Sequence, residues 1–173
     1  LALDRYEGSK ALSKIAIVKE VAGVQVPGTP YATPPAELEK LAGYWKDSNA
    51  SRAEARKLLK EAGYGPDKPL NLPFMMSPSG SGQMQPLPMN ELVQQQLAKV
   101  GVRLEFIVTE WQALRAQRSK GPLDSSARNI HALNNSMGTY DPYTAFERFF
   151  GCKRLPPAGL NWSGVCDEKL EAL

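Results

Sequence analysis

Catalysis needs a nucleophile beside a base, and a metal centre needs a cluster of His, Cys or carboxylate donors. This chain of 173 residues holds one histidine, His131, and two cysteines, Cys152 and Cys166. No C-x-x-C or H-x-x-x-H spacing is present, so no metal site is expected. His131 falls inside a strand-like run, where a local hydrogen bond accounts for it better than a role as general base. Residues 77–85 (SPSGSGQMQ) are rich in Gly and Ser but lack the Lys-Ser/Thr ending of a phosphate-binding loop. Asp141 has no neighbouring carboxylate with which to divide acid and base roles. No catalytic residue and no cofactor is therefore expected. The competing reading, an α/β hydrolase-type enzyme domain, requires a nucleophile–base pair that the sequence does not offer.

Binding chemistry is better represented. Asn134, Asn135, Ser136 and Thr139 supply neutral donors and acceptors, Met137 an adaptable apolar surface, and Gly138 room for close approach. Trp45, Trp111 and Trp162 suit packing or a ligand platform, and Trp111 is the candidate for stacking on a solute.

Position gives the 134–139 cluster its meaning. Residues 1–17 carry helical periodicity, and residues 24–35 are a Pro/Gly-rich extended connection. Residues 37–43 predict a short helix seeded by Pro34 and Pro35. Residues 49–63 (NASRAEARKLLKEAG) predict a helix with Ser51 as N-cap, Glu54 at the capping-box spacing and Gly63 as its stop. Residues 70–76 read as a strand, with Pro73 pointing to an edge or a bulge. A helix over 90–100, stopped by Gly101, precedes an alternating strand over 102–109. Residues 111–120 predict a helix, 129–135 a strand, and 142–150 a helix with Asp141 as N-cap and Pro142 in its first turn.

Alternation of helix and strand implies an α/β fold with a mixed, partly parallel sheet flanked by helices. The loop beyond the last strand, which holds Asn134 to Thr139, then lies where such sheets bind ligands. Leu58, Leu59, Leu92, Leu97, Leu104, Phe106 and Val108 are expected to build most of the core.

Bulk properties exclude other classes. The net charge is +3, and the basic residues of 52–60 alternate with acids, as on a solvated helix face rather than a nucleic-acid footprint. No run approaches the roughly 18–20 apolar residues of a membrane span. The chain starts inside one helical pattern and stops inside another, so it reads as an excerpt of a longer protein.

Four segments, in order, resemble the family-5 extracellular solute-binding proteins: ASRAEARKLLKEAGY (50–64), ELVQQQLAKVGVRLEFIVTEW (91–111), GTYDPYTAFERFF (138–150) and NWSGVCDEKLEAL (161–173). The resemblance implies one lobe, domain III, of a two-lobe periplasmic binding protein fold, with residues 1–48 as lead-in and 49–173 as the α/β core. It implies a monomeric receptor that binds a small polar solute, of peptide, sugar or opine class, in an inter-lobe cleft. That receptor delivers the solute to the membrane permease of an ABC transporter, in the periplasm or at the cell surface. It also implies a disulfide between Cys152 and Cys166, which the Gly/Pro-rich connection between them can close. Two features depart from peptide-binding members. Gly138 stands where they place an Asp, and residues 77–85 carry no Arg or Lys. A peptide's charged termini would lack those partners, so a neutral polar or sugar-like solute is expected.

Overall fold

The computed structural model describes residues 1–15, 20–79, 86–120, 132–133 and 141–172. The elements run α1 (Arg5–Leu12), α2 (Pro35–Leu38), α3 (Ser48–Glu61), β1 (Leu70–Met76), α4 (Pro86–Ala98), β2 (Val102–Val108), α5 (Trp111–Lys120), β3 (Ala132–Leu133), α6 (Pro142–Phe150) and α7 (Glu168–Glu171). A 3-10 turn, Cys152–Arg154, follows α6. The three strands form one sheet in the order β2-β1-β3, and both pairings are parallel. The α/β architecture expected from the helix–strand alternation is present.

Pro73 sits in the central strand rather than at an edge, and the register explains why. The Leu70 N–H donates to the Gly101 carbonyl and the Met76 carbonyl accepts from Thr109 N–H, so the even residues of β1 bond β2. Pro73 therefore turns its missing donor toward the side of β3, whose described pairing covers Phe74 opposite Ala132 and Met75 opposite Leu133. Its missing N–H costs no bond to β2.

The main core lies between the sheet and helices α3 and α4. Ala55, Val100, Val102 and Leu104 are buried there, with Leu59, Leu97, Val93, Phe74 and Phe106 packed around them. Two of the seven expected core residues are instead exposed: Leu58 at 44% and Val108 at 53%. In α3 the buried stripe runs through Ser51, Ala55 and Leu59, four residues apart, and Leu58 lies off that line. In β2 the inward alternation holds for Val102, Leu104 and Phe106 but not for Val108, at the strand's last position.

The N-cap of α3 is Asp47, not Ser51. Its carboxylate accepts from Asn49 N–H at 2.9 Å and Ala50 N–H at 3.1 Å. The helix thus starts earlier than its apolar pattern does, which leaves Ser51 on the buried stripe. Similarly, α4 begins at Pro86, ahead of the apolar residues that mark its inner face. α1 is shorter than the periodicity of residues 1–17 predicts, because Asp4 caps its start by accepting from Glu7 N–H. Residues 16–19 lie outside the described residues. α2 spans Pro35–Leu38, and the chain turns at Gly43, at φ +92°, rather than continuing as helix. Gly63 and Gly101 end their helices at φ +82° and +88°, the left-handed conformation that a side chain strains.

The lead-in is tied to this core. Buried Gln96 on α4 accepts from Asp4 N–H at 2.8 Å and donates to the Asp4 carbonyl at 3.3 Å. Arg5 donates to the Gly43 carbonyl and stacks over the Tyr44 ring at 4.5 Å, while the Tyr6 hydroxyl donates to the Tyr44 carbonyl. Gln94 donates to the Leu104 carbonyl at 2.8 Å, fastening α4 to β2.

Candidate functional site

Parallel pairing brings the carboxyl ends of the strands to one side of the sheet. Met76 lies opposite Val108, and Leu133 opposite Met75, so β1, β2 and β3 finish in one row. Ser77 follows Met76 and is buried, and its hydroxyl has no hydrogen-bond partner among the described residues. Asn90 on α4 reaches across to the Met76 sulfur at 3.6 Å. Trp111 opens α5 directly beyond β2 and is 40% exposed, which leaves ring surface open at this end of the sheet. It is the one residue of the expected binding set whose place is described. Asn134, Asn135, Ser136, Met137, Gly138 and Thr139 lie outside the described residues, as does His131.

A second apolar cluster closes the side of the row. Leu114 of α5 and Met75 of β1 are buried together, and Trp162 packs on them. Trp162 is thus a packing residue, one of the two roles open to it. Its Nε1 is buried without a partner among the described residues, and so is Nε2 of Gln117, one turn along α5 from Leu114.

The segment that carries Trp162 is held from two directions. Cys152 and Cys166 form a disulfide across a separation of 14 residues. Inside that loop, fully buried Asn161 donates to the Gly151 carbonyl at 3.1 Å and the Val165 carbonyl at 2.7 Å, and accepts from the Ser163 hydroxyl at 2.8 Å. Nothing in periodicity pointed to Asn161 as the centre of this latch. The short Asn-Trp-Ser sequence, able to hydrogen-bond its own turn, was the available signal.

Asp141 caps α6, accepting from Thr144 N–H at 2.8 Å and from the Thr144 hydroxyl. Those two hydrogen bonds hold its carboxyl below the ordinary aspartate range, because they favour the charged form. The cap uses the carboxylate that a ligand ammonium would otherwise take. Arg118 on α5 is shifted down by burial first and then by the positive charges of Arg115 and Arg148, so α5 and α6 share a basic side. Between α6, the 3-10 turn and Tyr31 lies an open cavity of about 720 Å³, walled by Pro142, Tyr143, Phe146 and Phe150. The Glu147–Arg154 ion pair sits on its wall. Among the described residues, no group of three His, Cys, Asp or Glu could hold a metal ion, and no helix is long and apolar enough to cross a membrane.

Comparison with known proteins gives this geometry a context. The chain is 39% identical over 114 residues to the di/tripeptide-binding protein 2 of Pseudomonas aeruginosa (strain UCBPP-PA14), a match over 66% of this chain and 20% of that protein. Among solved structures it resembles the murein tripeptide binding protein MppA of Escherichia coli, with TM-score 0.68 and 19% identity over 97% of this chain and 30% of that one. It also resembles the ABC transporter substrate binding protein CtaP of Listeria monocytogenes, with TM-score 0.60 and 24% identity over 99% of this chain and 31% of that one. A third is the oligopeptide-binding protein AppA of Bacillus subtilis in complex with a nonapeptide, with TM-score 0.63 and 17% identity over 97% of this chain and 32% of that one. The chain therefore spans about a fifth of the curated relative and under a third of these solved chains. A model of bacterial extracellular solute-binding proteins, family 5 middle, matches residues 9–156. That match covers most of the chain, which thus belongs to the family-5 extracellular solute-binding proteins, a family of binding proteins rather than enzymes.

Proposed function

We propose that this chain is a ligand-binding lobe, corresponding to domain III, of a peptide receptor serving an ABC importer. The observation that carries the ligand class is the 39% identity to a protein named for di- and tripeptide binding. The expectation of a neutral, sugar-like solute gives way to peptide on that ground. The solute sits at the carboxyl ends of β1, β2 and β3, with Asn134, Asn135, Ser136, Met137, Gly138 and Thr139 offering hydrogen bonds and close approach, and Trp111 a stacking face. With Gly138 in place of an Asp, and no Arg or Lys in residues 77–85, the lobe grips the peptide by neutral groups along its main chain. A partner lobe closes over the solute, and a membrane permease receives it. The Cys152–Cys166 disulfide suits an oxidising, extracytoplasmic compartment. The receptor works as a monomer.

The test is calorimetric titration of the full-length receptor with di- and tripeptides, amidated and acetylated peptides, and neutral sugars. Peptide binding that tolerates blocked termini and weakens in Asn135→Ala supports the reading. Binding of sugars alone would replace peptide by the neutral polar class. Binding of peptides only with both termini free, undisturbed by Asn135→Ala and Gly138→Asp, would overturn the proposed mode and place.

A further inference from the structure

The connection ahead of α2 contains a second polar site, away from the strand ends. Residues 21–35 fold into closed turns: Thr29 N–H donates to the Val26 carbonyl at 3.4 Å, Ala32 N–H to the Thr29 carbonyl at 3.1 Å, and Gly28 adopts φ +79°. This segment encloses a cavity of about 230 Å³. Gln25 lines the cavity, is 7% exposed, and has no hydrogen-bond partner among the described residues at either Oε1 or Nε2. A buried carboxamide with both ends unbonded is uncommon and calls for a cause.

The rest of the wall narrows the chemistry. Pro27, Pro34 and Pro35 have no N–H to offer, and the Thr29 hydroxyl already donates to the Val26 carbonyl at 2.9 Å. Among the described residues, Glu20 is the one charged residue of the lining, and none of them is a cation or an aromatic ring. An anion finds no positive partner among those residues, and an organic cation finds the Glu20 carboxylate but no aromatic face. The complement of a neutral carboxamide is a neutral group that presents a donor and an acceptor side by side. The volume is below the roughly 300–1,000 Å³ that encloses a whole drug-sized ligand, so the cavity admits one residue-sized portion of a larger molecule.

We propose that this cavity is a subsite for a single peptide unit, one main-chain N–H and one C=O, read by the Gln25 carboxamide. The inference rests on the peptide-receptor reading and deepens it. The Gln25 amide is shielded from water, so its side chain must turn within the cavity to meet the occupant. It surrenders no hydrogen bond to the described residues in doing so, because it holds none with them. The peptide unit can come from a free peptide or from the main chain of the protein itself, and the two sources are separable.

The experiment uses full-length, ¹⁵N-labelled protein, with the Gln25 side-chain NH₂ signals identified by their loss in Gln25→Met. The probes are Gly-Gly-Gly and N-acetylalaninamide. A saturable shift of the NH₂ signals, with about a tenfold loss of probe affinity in Gln25→Met and a melting temperature equal to or above the native one, supports the subsite. NH₂ protons protected from exchange before any probe is added, and unmoved by it, assign the occupant to the protein's own main chain. An NH₂ that exchanges freely and that neither probe moves overturns the proposal, as does unchanged probe affinity in Gln25→Met. Should Gln25→Met fail to fold, Gln25→Glu removes the donor while keeping shape, and weakened probe binding is again the expected result. Peptide binding that survives both variants sinks the subsite and leaves the receptor standing. A native protein that binds no peptide at all sinks the receptor reading itself.

Discussion

Asn161→Ala isolates the latch behind the strand-end site. The side chain is fully buried and makes three hydrogen bonds: two donated, to Gly151 and Val165, and one accepted, from Ser163. These carbonyls neighbour Cys152 and Cys166, so the amide and the disulfide close the same loop. A typical intramolecular hydrogen bond contributes about 0.5–1.5 kcal/mol net, and a buried acceptor left bare costs about 1–3 kcal/mol. Gly151 is buried and loses its side-chain donor in the variant. The Gly151 carbonyl keeps the Arg154 N–H, so it is not left bare, and the three lost hydrogen bonds give an expected loss of about 1.5–4.5 kcal/mol. Urea unfolding followed by tryptophan fluorescence measures it, with an unchanged slope showing that stability alone has moved. Ser163→Ala removes the bond to Asn161 and the longer one from Val165 N–H at an exposed position, and should cost about 0.5–1 kcal/mol. Asn161→Asp turns a donor pair into an acceptor facing two carbonyl oxygens, and should be no milder than Ala. A loss below about 0.5 kcal/mol in Asn161→Ala would refute the latch, since the buried hydrogen bonds would then contribute nothing net.

Other outcomes are as definite. Non-reduced protein should show no alkylatable thiol by mass spectrometry, and replacing both cysteines by serine should lower stability by about 3 kcal/mol, the loop-closure value for about 15 residues. Leu114→Ala, at a side chain that is 1% exposed, should cost about 2–5 kcal/mol, whereas Leu58→Ala on the exposed face should stay within about 0.5 kcal/mol; equal effects would show the helix faces to be misassigned. Gly101→Ala should destabilise by about 1–2 kcal/mol through its left-handed backbone, read as a lower urea midpoint. Asp141 has a folded-state pKa below its unfolded value, so its stabilisation is present above the unfolded value and is lost as pH falls through the folded one. An NMR titration of its carboxyl should give a midpoint below ordinary aspartate, and Thr144→Ala should move that midpoint up.

Local pattern alone was enough for β1, α5 and α6, whose observed limits coincide with the expected ones, and for the Asp141 cap. These elements are defined by short-range physics: alternation within a strand, a Pro in the first helical turn, a carboxylate three residues ahead of the N–H it accepts from. The family, too, was legible in four ordered segments, because recurring helix, turn and strand sequences are local strings. What only tertiary structure decided was burial and pairing. Leu58 and Leu59 are equivalent by composition, and it is the line through Ser51 and Ala55 that sends one inward. Val108 continues the alternation of β2 yet is exposed at the end of the strand. Pro73 is tolerated in a central strand because the register turns its missing donor away from β2, a fact of pairing that no single strand contains. The Asn161 latch and the amide of Gln25 belong to the same class, since whether a polar side chain is buried and satisfied depends on how the chain around it folds and packs.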